Sequence, residues 1–435
     1  MDVQSLFTPL GGAPAVALGR SEGGCTPSGE AAVCPALASG GGSLRVPLLD
    51  ALRGLAALAV CWFHLASLIP LPDGLIRALG NQGYLGVHVF FVISGFVMPL
   101  SLARAGYSPR SFGRFILRRL VRLDPPYLAS ILLTVAFGYA LAAFVRSHGG
   151  KLPVESAGQV LSHLAYATQL SGHSWLSPVY WTLAIEFQFY LVLGLLFPFL
   201  QHPRPAVRRL VLGAFALAPW LGAEPGATVF WYLPWFAFGI AACHLRQGLV
   251  SRWEFSLTVL ALGVSLATRI ETRELLALTT TALLSAFWQG GGSAGLHWLG
   301  SISYSLYLTH CVSGGAVLVV AKALHPPAWM HLPAVAVAVF VSVLAAAIFH
   351  RLVERPAQQL ATRIPARAPE PSGGRSRSYG TDGHPGGMFP SLQRWWGSLG
   401  QGPGVRVGSE GQFPGRGVQG LSPLKPIPGT IPPIP

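Results

Sequence analysis

Long apolar segments alternate with short polar connections over most of this chain. Ten segments are long enough, or nearly long enough, to cross about 30 Å of hydrocarbon at about 1.5 Å per residue. They lie near 47–70, 84–103, 127–145, 180–200, 207–222, 229–245, 255–269, 274–289, 298–321 and 331–353. The pattern predicts an all-α, polytopic integral membrane protein with about ten transmembrane helices.

The two ends of the chain differ from this pattern. Residues 1–44 are rich in Gly, Ala and Ser without a sustained period, and residues 361–435 are rich in Gly and Pro. Neither composition can bury an apolar core. We therefore predict a disordered N-terminal tail over 1–44, a membrane domain over 45–360 and a low-complexity C-terminal tail over 361–435.

The composition narrows the class of protein further. Of the 435 residues, 51% are apolar and 11% are charged, whereas a soluble domain carries about 25% charged residues. These values exclude a disordered protein and argue against an ordinary soluble enzyme. The net charge of +14 comes from basic residues placed between apolar runs, where they report membrane orientation. We expect a lipid bilayer, and no nucleic acid, among the partners.

The basic residues are distributed unequally between the two sides of the membrane. About eleven fall on the side that includes the 104–126 connection, against about six on the other. The side with more Lys and Arg is normally cytoplasmic, which predicts a multi-pass protein of the inner or plasma membrane with both termini in the cytoplasm. The five cysteines show no metal-ligand spacing, so we expect neither a metal nor a bound cofactor.

The first apolar segment carries three ionisable residues, Asp50, Arg53 and His64. Eleven residues of α-helix turn through about 1100°, which places Arg53 and His64 on one face about 16 Å apart. Asp50 lies one turn before Arg53 and can pair with it. Because ionisable groups inside a membrane are costly, function is the first interpretation. The alternative is that Asp50 and Arg53 anchor the interface and His64 bonds a neighbouring helix.

The connection after the second segment contains a basic stripe. Its members are Arg110, Arg114, Arg118 and Arg122, with Arg119 beside them. Pro125 and Pro126 are predicted to end this helix. One interpretation is an amphipathic interfacial helix that holds anionic lipid head groups. The other is a docking site for a phosphorylated cytosolic ligand, since guanidinium groups bind phosphate in a bidentate manner.

Two later spans each carry a polar face. The faces consist of Thr182, Glu186 and Tyr190 in the fourth span and Ser303, Tyr307 and His310 in the ninth. A carboxylate at membrane depth needs a partner or a proton. With the predicted topology, His64, Glu186 and His310 lie at middle or outer depth, while the arginines lie at the cytoplasmic end. This arrangement predicts chemistry deep in the membrane and a phosphate-bearing reagent that arrives from inside.

In their order and spacing these residues resemble the membrane-bound acyltransferase family three, a family of integral-membrane O-acyltransferases. The resemblance covers about residues 45–360. The matching stretches are Leu49 to Gly54 with His64, Gly86 to Phe96, Arg119-x-x-Arg122 with Pro125 and Tyr127, Trp181-Thr182-Leu183-x-x-Glu186-x-x-x-Tyr190, Ser303-Tyr304-x-x-Tyr307-Leu308-x-His310, and Glu354-Arg355-Pro356. His88 and Thr182 depart from the family, which more often has an acidic residue and Ser at these positions.

The resemblance implies transfer of an acyl group, commonly acetyl, from acyl-CoA to a hydroxyl of a carbohydrate or another envelope or exported acceptor. Acyl-CoA (acetyl-CoA) is then a co-substrate. His64 is a candidate general base or acyl carrier, and Glu186 is a candidate to orient its imidazole or to bind the acceptor. The other candidates are Asp50, Arg53, Arg118, Arg119 and Arg122 for acyl-CoA, and Tyr190, Ser303, Tyr307 and His310 for the acceptor or the oxyanion.

Two other functions fit the hydropathy. A transporter or flippase for an anionic or glycosylated substrate would also have many spans and intramembrane charges. It would not require Arg53, His64 and the basic stripe to act together on a thioester. A structural membrane scaffold would leave the buried ionisable groups without a purpose.

Overall fold

A computed structural model describes residues 47–145, 156–221, 228–288 and 290–365. All regular elements in these ranges are helical, which confirms the predicted all-α class for this part of the chain. The tail predicted over 1–44 and most of the tail predicted over 361–435 lie outside the described residues.

Fourteen α-helices make up the described ranges. They are α1 (Pro47–Ala66), α2 (Leu75–Gly80), α3 (Gly86–Arg104), α4 (Phe112–Val145), α5 (Ala157–Leu164), α6 (Tyr180–Leu200), α7 (Pro205–Leu217), α8 (Val229–Arg246), α9 (Arg252–Leu266), α10 (Thr272–Phe287), α11 (Ala294–Ser301), α12 (Ser303–Ala323), α13 (His331–Phe349) and α14 (Arg355–Thr362). A π-helical turn, His350–Glu354, joins α13 to α14.

Six helical segments of the described chain are long and apolar enough to cross a membrane. They are Pro47–Ala66, Leu75–Arg104, Pro109–Ala143, Tyr180–Leu200, Ser303–Ala323 and Ala328–Thr362. The predicted number of about ten is therefore not confirmed. The spans predicted near 207–222, 255–269 and 274–289 form helices of 13, 15 and 16 residues, whereas a perpendicular crossing takes about 20.

The helix predicted to end at Pro125 and Pro126 does not end there. Both prolines lie inside α4, which has 34 residues and so reaches about 51 Å at 1.5 Å per residue. Proline removes a backbone donor, but neighbouring helices in a membrane protein can bond the freed carbonyls. Tyr304 of α12 donates its hydroxyl to the carbonyl oxygen of Leu123 at 3.0 Å, in the turn that the prolines weaken. The basic stripe therefore belongs to a long spanning helix and is not a separate interfacial helix.

Helices α3 and α8 pack backbone against backbone. Gly95 lies against the carbonyl of Phe236, and Gly239 lies against the carbonyl of Val92, so a Cβ at either glycine would overlap backbone atoms. These two glycines therefore permit the close approach of α3 and α8. Beside this contact the ring of Phe189 stacks on the ring of Phe236, with centroids 3.8 Å apart. Both residues belong to the largest cluster of buried apolar residues in the described chain.

This contact gives a prediction for stability. Alanine at Gly239 must push α3 and α8 apart, and overpacking of this kind costs about 1–3 kcal/mol or more. We expect Gly239→Ala to lower the thermal unfolding midpoint of the purified protein in detergent. Gly213→Ala on α7 is the matched control, because a Cβ there meets no atom within 4 Å. Equal midpoints for the two variants would contradict the packing described here.

Candidate active site

A cavity of about 130 Å³ lies where α1, α3, α4, α6, α12 and the π-helical turn meet. Polar side chains from every one of these elements reach it. They are Arg53, Ser94, Arg119, Arg122, Thr182, Glu186, Tyr190, Ser303, Tyr304, Tyr307 and Glu354, together with Gln358 of α14. The tertiary structure thus brings together most residues of the polar faces that the sequence singled out.

Three guanidinium groups line this cavity, those of Arg53, Arg119 and Arg122. None of them forms an ion pair with a carboxylate of the described residues. Arg119 lies 5.8 Å from the ring centroids of both Phe115 and Tyr190, and this stacking holds its position while leaving donors unused. Three unpaired cations in one cavity favour an anionic ligand.

Glu186 faces the same cavity but does not bond His64. One of its oxygens, Oε1, accepts hydrogen bonds from Tyr190 Oη at 2.5 Å and from Ser94 Oγ at 3.0 Å. The structure does not show the contact by which Glu186 would orient the His64 imidazole, because the two side chains belong to different hydrogen-bond networks. The alternative role of Glu186 in binding the acceptor stays a prediction. Ser94, which is not among the predicted site residues, is a polar partner of Glu186.

Glu354 is a buried cavity residue that sequence reasoning did not include among the site residues. Its carboxylate accepts from Ser305 Oγ at 2.5 Å and Gln358 Nε2 at 2.7 Å, and it lies 2.9 Å from His350 Nδ1. The π-helical turn that ends at Glu354 is typical of functional positions in helices. The available signal in the sequence was a carboxylate directly after the last apolar span, followed by Pro356.

His64 lies outside the cavity and pairs with His310 of α12. The distance between His64 Nδ1 and His310 Nε2 is 3.2 Å, and Cys311 Sγ lies 3.4 Å from the same Nε2. The ligand atoms of these three residues fall within 4.8 Å of one another, so the group is also able to hold a metal ion. The spacing of residues in the sequence gave no sign of this group, because His64 lies 246 residues from His310 in the chain.

Tyr307 lies between the two groups. It lines the arginine cavity, its hydroxyl lies 2.7 Å from Thr182 Oγ1, and its ring centroid is 6.2 Å from that of His310. Ser303 and Tyr307 thus face the cavity, while His310, further along the same helix face, meets His64. The structure therefore places the arginines and the histidine pair on either side of one tyrosine.

Four predicted site residues do not line the cavity, namely His64 and His310, described above, and Asp50 and Arg118. Arg118 does not line the cavity, whose basic residues on α4 are Arg119 and Arg122. Asp50 forms no ion pair with Arg53 although both are described. The backbone of Asp50 instead packs against Gly300 of α11, so the predicted Asp50–Arg53 pair is not present.

Together the helices long and apolar enough to cross a membrane and the polar cavity between them define a membrane protein with a polar internal site. The family described as "Acyltransferase domain" matches residues 46–351, and the chain belongs to this family, the membrane-bound acyltransferase family three that the sequence resembles. Family membership favours an acyltransferase over the transporter and the scaffold considered above.

Two relatives are similar over different extents. The acyltransferase MdmB of Streptomyces mycarofaciens is 28% identical over 385 residues, which is 76% of this chain and 96% of that protein. The O-acetyltransferase OatA of Staphylococcus aureus is 28% identical over 180 residues, which is 38% of this chain and 28% of OatA. No solved structure matches the chain significantly.

Proposed function

We propose that this membrane acyltransferase transfers a short acyl group, acetyl in the simplest case, from acyl-CoA to a hydroxyl of a carbohydrate or another envelope or exported acceptor. The observation that carries the proposal is the set of three unpaired guanidinium groups in a cavity separated from the histidine pair by Tyr307. The names of MdmB and OatA, an acyltransferase and an O-acetyltransferase, agree with it.

The donor is assigned to the arginine cavity. Coenzyme A carries a pyrophosphate and a further phosphate, which complement Arg53, Arg119 and Arg122. Arg53 and His64 lie eleven residues apart on α1, about 16 Å along the helix axis. When the phosphates bind the arginines, a pantetheine arm of that length extends past Tyr307 and places the thioester beside His64.

The transfer step is assigned to His64. A neutral imidazole accepts a proton at its unprotonated ring nitrogen, which suits a general base. His64 takes the proton of the acceptor hydroxyl, the oxygen attacks the thioester carbonyl, and the CoA thiolate leaves and is protonated. The hydroxyl of Tyr307 lies beside this path and is a candidate to bind the developing oxyanion when it turns away from Thr182 Oγ1.

The orientation follows from the basic residues. We propose that the first turns of α4 lie at the cytoplasmic face of the inner or plasma membrane, so that acyl-CoA enters from inside. The acceptor then approaches the histidine pair from the opposite side, because α1 proceeds outward from Arg53 to His64.

Turnover by the purified protein tests this function. Wild-type protein in nanodiscs is mixed with acetyl-CoA and a panel of envelope glycans, and both free CoA thiol and acetylated glycan are measured. We expect thiol release that depends on the acceptor. If no short acyl-CoA binds or is consumed, even with a native membrane extract as the acceptor source, the proposed function is wrong.

A further inference from the structure

The hydrogen bonds of His310 determine which of its ring nitrogens carries a proton. Its Nδ1 lies 2.9 Å from the carbonyl oxygen of Leu306. A carbonyl only accepts, so Nδ1 must donate. A neutral ring then has a lone pair at Nε2, and the complete burial of His310 favours the neutral form.

The neighbouring His64 is constrained in the same way. Its Nδ1 lies 3.0 Å from the carbonyl oxygen of Val60 and 3.2 Å from His310 Nε2. Both of these atoms are acceptors, so His64 Nδ1 carries the proton and shares it between them. The lone pair of a neutral His64 is therefore at Nε2, which makes no hydrogen bond with any described side chain or backbone group.

We infer that His310 is a positioning residue for His64, whose tautomer and ring orientation it fixes through the contact between His310 Nε2 and His64 Nδ1. This inference rests on the proposed function, in which His64 Nε2 takes the proton of the acceptor hydroxyl. When that happens, His64 becomes an imidazolium and its Nδ1–H becomes a stronger donor to the His310 lone pair. A buried neutral histidine then has the orienting role that a carboxylate has in many catalytic triads.

The same geometry removes His310 from the oxyanion site. Its N–H at Nδ1 is bonded to Leu306 and its Nε2 is an acceptor, so the neutral ring has no donor left for a developing oxyanion. The oxyanion role first considered for His310 is thereby withdrawn. Tyr307 remains a candidate, but its hydroxyl must turn away from Thr182 Oγ1 to donate to an oxyanion, because Thr182 itself donates to the carbonyl oxygen of Val179.

Two variants at one position separate positioning from mere packing. In His310→Gln, the side-chain amide places a polar atom near the former Nε2, so its oxygen can still accept from His64. In His310→Asn, the amide reaches only the former Nδ1 position near Leu306. We expect His310→Asn to lower kcat by about 10- to 100-fold, the range seen when an orienting partner is lost, with the KM for acetyl-CoA nearly unchanged. His310→Gln should retain most of the wild-type kcat.

The tautomer is measured separately by ¹⁵N NMR of histidine-labelled protein in nanodiscs, with the His64 signal assigned from its loss in His64→Ala. We expect a protonated Nδ1 and an unprotonated Nε2 on His64 in wild type. This measurement needs no turnover, so it tests the inference even if the proposed function fails. A proton on Nε2 would overturn it, as would equal loss of kcat in His310→Gln and His310→Asn.

Cys311 supplies two further outcomes that would overturn the inference. Its Sγ lies 3.4 Å from His310 Nε2 and competes for the same lone pair. A metal that co-purifies in stoichiometric amount and disappears in Cys311→Ala would make the three residues a metal site. An acyl group trapped on Cys311 would make His310 the base for a thiol nucleophile. We expect neither result.

Discussion

Replacing His64 with alanine is expected to reduce acyl transfer by about a thousandfold. General base catalysis contributes about 10²- to 10⁴-fold, and the two carboxylates that line the described cavity are bonded to other side chains. Glu186 accepts from Tyr190 and Ser94, and Glu354 is bonded within its own network at the π-helical turn. Neither carboxylate is placed to replace the imidazole.

The measurement compares kcat with the affinity for acetyl-CoA in nanodiscs. His64 lies outside the arginine cavity, so the variant should bind acetyl-CoA as tightly as wild type while kcat falls. His297→Ala is the control, since His297 is a half-buried residue of α11 that does not line the cavity. A His64→Ala variant that keeps a tenth or more of the wild-type kcat would exclude His64 as the base.

Removing the guanidinium groups of Arg119 and Arg122 together is expected to weaken acetyl-CoA binding by about a hundredfold or more. A hydrogen bond to a charged group contributes about 1.5–3 kcal/mol, and each 1.4 kcal/mol is a factor of ten in affinity. Both groups line the cavity and form no ion pair with a described carboxylate, so their loss leaves no buried acid without its partner.

Arg118→Ala is the matched control for this variant. It removes one guanidinium group from the same helix, against two in the double variant. Arg118 does not line the cavity, so the affinity should change little. Acetyl-pantetheine, which lacks the phosphates, gives a second comparison. We expect it to be a poor acyl donor, with the same rate of transfer in the wild type and the double variant. An equal loss of affinity in Arg118→Ala would indicate general electrostatic attraction to α4 in place of a defined phosphate site.

The periodicity of the sequence was sufficient to locate the helices and most of the polar faces. Thr182, Glu186 and Tyr190 were placed on one face by their spacing alone, and all three line the cavity. Spacing succeeds here because an α-helix has a fixed rotation per residue. It did not determine the number of spans, since apolar composition does not decide whether a helix of 13 to 16 residues crosses a membrane or packs beside helices that do.

Contacts between distant helices were decided only by the tertiary structure. The sequence determined that His64, Glu186, His310 and the arginines are polar groups in an apolar chain, because composition and periodicity are local properties. It did not determine that His64 meets His310, or that Glu186 meets Ser94. Those pairings depend on how the helices pack, at contacts such as Gly95 and Gly239 where the absence of a Cβ permits close approach, and a single helix does not contain that information.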